Sequence, residues 1–114
     1  MSAAPGTPPT ATDMARDVDL ALALARSRPT GPVAGEVRKR LRSHLGLLTD
    51  PAEEYAKGLA DSRARDIAVA TVTHARGLLR DRDGDPAAML RLLAKAVDHL
   101  MRYASHTRRP EQRA

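Results

Sequence analysis

The side chains able to do acid–base or metal chemistry in this chain are four histidines and fourteen carboxylates, with no cysteine. His44 stands in the stretch VRKRLRSHLGLL, residues 37 to 48, where basic side chains interrupt an apolar helical repeat. An imidazole there could act as a general base, a metal ligand or a hydrogen-bonded core residue. On an apolar face a neutral imidazole that donates one N–H to a neighbouring helix costs little, whereas an unpaired one is expensive. His44 is therefore expected to be buried and bonded to another helix. His74 falls between Ile67 and Leu78 on a second apolar stripe, so it too is expected to be buried, within reach of His44 in the interior. His99, on the edge of the last helix, would complete a three-imidazole set. Metal sites in helix bundles, however, bring carboxylates inward with a Glu-x-x-His spacing. No such pair occurs, and Asp98 faces away from its neighbour His99. The expectation is no metal and no cofactor.

Catalysis has less support still. Ser, His and Asp are scattered without a nucleophile elbow, a phosphate loop or an HExxH run. Glu53 and Glu54 lie where the first turn of a helix would explain them. The residue pattern thus points away from an enzyme. Nucleic-acid contact rests on Arg38, Lys39 and Arg42 from one helix and Arg108 and Arg109 from the C-terminal tail, because phosphates need little more than such charges. The net charge of +5 is local. Arg38, Lys39, Arg40 and Arg42 against Glu36 leave +3 on the segment 33–48, and Arg108, Arg109 and Arg113 against Glu111 leave +2 on the tail. Against this, base-edge readers and stacking aromatics are not apparent. The plainer reading is a solvated helix back, with Glu36 and Arg40 spaced to pair four residues apart.

The elements that would carry these residues are helices, with no period-two alternation anywhere. Met14, Val18, Ala21, Leu22 and Ala25 predict a helix over about 13–27 with Thr12 as its cap. Pro32 opens a second helix with the stripe Val33, Val37, Leu41, Leu45 and Leu48, and Arg38 and Arg42 on its opposite side. Asp50, Pro51 and Glu53 have the form of a new start, predicting a short helix to about Ala60. A further helix from about Ser62 carries Ala64, Ile67, Thr71, His74, Ala75 and Leu78, with Ala68, Val72 and Leu79 beside them. Asp85 and Pro86 start the last, over 86 to about 105, on Leu90, Leu93, Val97, Leu100, Met101 and Ala104. The fold class is all-α: an up-and-down bundle of four main helices plus one short one, with a disordered N-terminal arm and a short basic C-terminal tail. The expected organisation is an arm over 1–12, a helical domain over 13–106 and the tail over 107–114.

Leu41-Arg42-Ser43-His44-Leu45 with Leu48, Pro51, Ala75-Arg76 with Leu79, and Leu93-Ala94-Lys95 with Val97 give the chain a recognisable wording over roughly residues 33 to 104. It resembles an uncharacterised family of small helical proteins from high-GC actinobacteria, a domain of unknown function. The resemblance implies a helical fold and no known activity. Near Tyr103 that family tends to show a His-Tyr pair that this chain lacks.

With only two aromatic residues, Tyr55 and Tyr103, the core must be filled by Leu, Val and Ala. These bury less area per residue, so a lone small domain has a thin margin that self-association would thicken. Leu20, Leu24, Leu47, Leu92 and Tyr103 lie off the main stripes and offer apolar surface for a partner. The sequence therefore favours a non-enzymatic helical protein acting through helix-mediated association, as a homo-oligomer or with a protein partner, in a regulatory role. The alternative is a DNA-associated regulator using the second helix and the tail. No targeting or membrane-spanning segment is read, and the absence of cysteine fits a cytoplasmic setting.

Overall fold

A computed structural model of the chain describes residues 8–81 and 84–113, the stretch 107–113 by its backbone alone. The first helix begins earlier than its apolar stripe suggests. Thr10 Oγ1 accepts from the Asp13 backbone N–H at 3.1 Å, and Asp13 Oδ2 accepts from the Thr10 N–H at 2.9 Å. This reciprocal box satisfies two end donors, making Thr10 rather than Thr12 the cap of α1, Ala11–Ser27. Residues 11 and 12, expected in the arm, are thereby helical, and residues 1–7 of that arm lie outside the described residues.

After a turn at 28–31, Gly31 takes φ 101°, a left-handed conformation that a side chain would strain, and Pro32 opens α2, Pro32–Lys57. This helix runs straight through Pro51. The expected break and separate short helix are absent because Leu41, Leu45, Leu48, Ala52 and Ala56 form one continuous buried row. A proline inside a helix costs about 3 kcal/mol. Here the lost donor would have served residue 47, which is 53% exposed and lies on the solvent side, while packing on both sides of the proline holds the helix together.

Asp61 caps α3, Ser62–Arg80, by accepting from the Arg63 and Ala64 N–H groups at 2.8 and 3.2 Å. Asp85 does the same for Ala88 at 2.9 Å, ahead of Pro86 at the start of α4, Pro86–Arg113. The last helix passes its expected end near Ser105. Tyr55 near the end of α2 stacks on Tyr103 with ring centroids 5.1 Å apart and on His106 at 5.2 Å, which gives the extra turn something to pack against. The backbone of the expected tail continues as helix to Arg113.

Four helices and no strand make up the described residues, so the fold is all-α. α2 and α4 form the central pair and each touches both other helices, while α1 and α3 lie on either side without contact among the described residues. Leu41, Leu45, Leu90, Leu93, Leu100, Val37, Val72 and Val97 are the largest fully buried side chains. Alanines fill the spaces between them, at positions 21, 34, 52, 75 and 94 among others. No helix among the described residues is long and apolar enough to cross a membrane.

Two stripes turn differently from expectation. On α2, Ala34 is buried and Val33 is 60% exposed. On α3, the row Ala68, Val72, Ala75 and Leu78 faces inward, leaving Ile67 and His74 outside. The wholly apolar row is the one that packs, since burying the row through Thr71 and His74 would require polar partners.

Candidate functional site

His44 is buried at the α1–α2 contact, and its partner is a carboxylate on the neighbouring helix. His44 Nε2 lies 2.7 Å from Asp17 Oδ2. Arg40, one turn earlier on α2, clamps the same group: Nε donates to Oδ2 at 3.0 Å and Nη2 to Oδ1 at 2.9 Å. Arg40 thus reaches across to α1 rather than pairing with Glu36 on its own helix. An ionised carboxylate only accepts, so Nε2 carries the proton that His44 donates. His44 Nδ1 is buried with no hydrogen-bond partner among the described residues. Burial alone would push the Asp17 carboxyl up, but the hydrogen bonds and charges of Arg40 and His44 outweigh it and hold the group below the ordinary carboxylate range. In return, the bond to Asp17 raises Arg40 against the opposing effect of burial.

Asp17 is the residue that the sequence reading leaves out. It sits on the apolar row of α1 at the spacing Met14, Asp17, Val18, Ala21, all buried. A carboxylate in that row is the signal that marks it, because a buried charge must be paired.

Above this network lies a groove of about 890 Å³, lined by Pro8, Pro9 and Thr10 at one end and by Arg16, Lys39, Ser43 and Leu47 along its walls. On the neighbouring flank of α2 a pocket of about 610 Å³ is lined by Gly35, Arg38, Lys39, Arg42, Ser43 and, from α3, Leu79. Arg38 and Arg42, expected on a solvated back, are half-buried. Arg38 Nη1 donates to the Pro29 carbonyl at 3.0 Å, and Arg42 Nη2 to the Asp81 carbonyl at 3.3 Å. The structure therefore brings Arg38, Lys39 and Arg42 together. The side chains of Arg108 and Arg109 lie outside the described residues.

His74 and His99 are exposed on α3 and α4, so His44 and His74 do not meet in the interior. No set of three His, Cys, Asp or Glu among the described residues is grouped to hold a metal ion. Glu53, expected in a first turn, instead lies about one turn from the C-terminal end of α2, bonded by Arg76 Nη2 at 2.7 Å and Lys57 Nζ at 3.2 Å, and these cations hold its carboxyl below the usual range.

Residues 12–109 match the model of a family of unknown function, DUF6415. No curated protein and no solved structure matches the chain.

Proposed function

The chain belongs to the DUF6415 family, whose function is unknown, and we propose that it is a non-catalytic helical protein that acts by association, first of all with a second copy of itself. One observation carries this reading. Every helix keeps a large aliphatic side chain in solvent: Leu20 on α1, Val33 and Leu47 on α2, Ile67 and Val69 on α3, and Leu92 on α4. Leu20, Leu47 and Leu92 are among the off-stripe residues singled out by their spacing, while Leu24 and Tyr103 pack half-buried against the core. Burying each exposed aliphatic side chain is worth up to about 1.5–3 kcal/mol. A core without large aromatics gains more than most from that addition. A cytoplasmic, regulatory setting fits the same picture.

Light scattering after size exclusion tests it. At high micromolar concentration the chain should run as a dimer or larger, and at least one of Leu20→Asp, Leu47→Asp and Leu92→Asp should return it to a monomer with its helical content intact. A strict monomer without a copurifying partner, or association unchanged in all three variants, overturns the reading.

A further inference from the structure

The pocket between α2 and α3 has a chemistry that association does not use. We infer that it is a binding site for a phosphate group, with Arg38, Lys39 and Ser43 as its principal contacts and Arg42 completing the wall.

Among the described residues the lining of this pocket contains no carboxylate. By contrast, the adjoining groove over Asp17 sets Asp13, Asp17 and Glu36 against Arg16, Lys39 and Arg40. Along α2, residues 38, 39, 42 and 43 fall on neighbouring positions of one face, since steps of three and four return to the same side of a helix. Arg38 makes no ion pair among the described residues; its one hydrogen bond, to the Pro29 carbonyl, fixes the guanidinium and leaves further N–H groups for a ligand. A neutral carbonyl positions the cation without cancelling its charge. Lys39 is exposed and makes no ion pair among the described residues, so it supplies a mobile charge at the rim. The Ser43 hydroxyl can donate to an oxygen that the cations leave unfilled.

Gly35 leaves room for such a ligand. In the first turns of α2 a glycine costs about 1 kcal/mol against alanine, and nothing in the packing demands it. A Cβ there would meet only Arg38 Nη2, at an ordinary 3.8 Å. The bare backbone leaves space beside the guanidinium, where a phosphate oxygen would sit. Leu79, half-buried on the far wall, offers an apolar surface to whatever the phosphate is attached to. The ligand is either free phosphate or a phosphomonoester.

The experiment follows the melting of the full chain, and binding by calorimetry, against inorganic phosphate and phenyl phosphate at constant ionic strength, with chloride as the control. At least one phosphate probe should bind and raise the melting temperature, and chloride should do neither. Lys39→Ala, at an exposed position, should fold normally and lose about tenfold in affinity, as expected for a charge-assisted contact to phosphate. Arg38→Ala should lose at least as much. Arg91→Ala, an exposed cation on α4, should change nothing. Gly35→Ala should weaken binding while leaving the free protein at least as stable, a combination that general unfolding would not produce. Tighter binding of phenyl phosphate assigns the site to a monoester, and tighter binding of inorganic phosphate assigns it to the free anion. The inference is overturned if neither probe binds, if Lys39→Ala binds as the parent does, or if a short DNA duplex binds while both phosphate probes fail.

Discussion

Two arginine–carboxylate clusters tie neighbouring helices together in this protein, and they differ chiefly in depth. Arg40 meets Asp17 between α1 and α2, beside buried His44, with the aspartate side chain only 12% exposed. Arg76 on α3 meets Asp50 and Glu53 on α2, in a cluster where the Asp50 side chain is 91% exposed. The residue types and bond lengths are alike. In the first cluster the carboxylate is largely withdrawn from water and depends on its partners, so each one lost adds to the cost of a buried charge and losing them all exposes that cost in full. In the second, water reaches Asp50 freely and Glu53 and Arg76 in part, so it largely replaces a lost partner and the pairs contribute little. Geometry alone therefore does not rank the two; burial does.

The largest effect should come from placing a negative charge beside Asp17. His44→Asp sets two carboxylates together in a buried site and should cost about 4 kcal/mol or abolish folding. His44→Leu keeps an apolar face and leaves Asp17 its two bonds from Arg40, so about 1 kcal/mol is expected. Thermal or urea melts of the two variants measure the gap, and equal stability would erase the distinction between the clusters.

Acid should weaken the Asp17 cluster next. The Asp17 carboxyl is held low in the folded chain, so its stabilisation is complete above the ordinary carboxylate range and disappears as pH falls through the depressed folded value. Urea melts of the parent and of Asp17→Asn should therefore differ most near neutrality and converge as pH falls below the carboxylate range. A gap that widens in acid contradicts the assignment.

The smallest effect belongs to the exposed cluster. Arg76→Ala should cost under about 1 kcal/mol, and less in high salt. A loss as large as that of the buried site would mean that depth is not what distinguishes them.

Much of the fold was legible because aliphatic spacing and helix punctuation agree over most of the chain. Asp85 with Pro86 marked the start of α4 correctly, and Leu41, Leu45 and Leu48 marked the inner face of α2. The failures arose where local and tertiary signals conflict. Asp50-Pro51 has the chemistry of a helix start, but Ala52 and Ala56 carry the buried row past it. On α3 two adjacent rows have nearly the same period, and the choice between them was made by packing against α2 and α4. Of the site, the burial of His44 could be read directly; Arg38, Arg40 and Arg42 could be named, but not their half-buried setting or their partners. Asp17 could not, because an aspartate is normally assigned to solvent until a partner on another helix is seen. Nor could the carbonyls of Pro29 and Asp81 that fix Arg38 and Arg42, since backbone acceptors in turns leave no mark on the sequence.

The α1–α2 contact depends most on Asp17 and His44 acting as one buried unit. A double-mutant cycle with Asp17→Asn and His44→Leu, read by urea unfolding near neutral pH, measures their coupling directly. The expected coupling is about 1–2 kcal/mol, against less than about 0.5 kcal/mol for the same cycle on Asp50 and Arg76. Additive losses at Asp17 and His44, with no coupling beyond error, would contradict it.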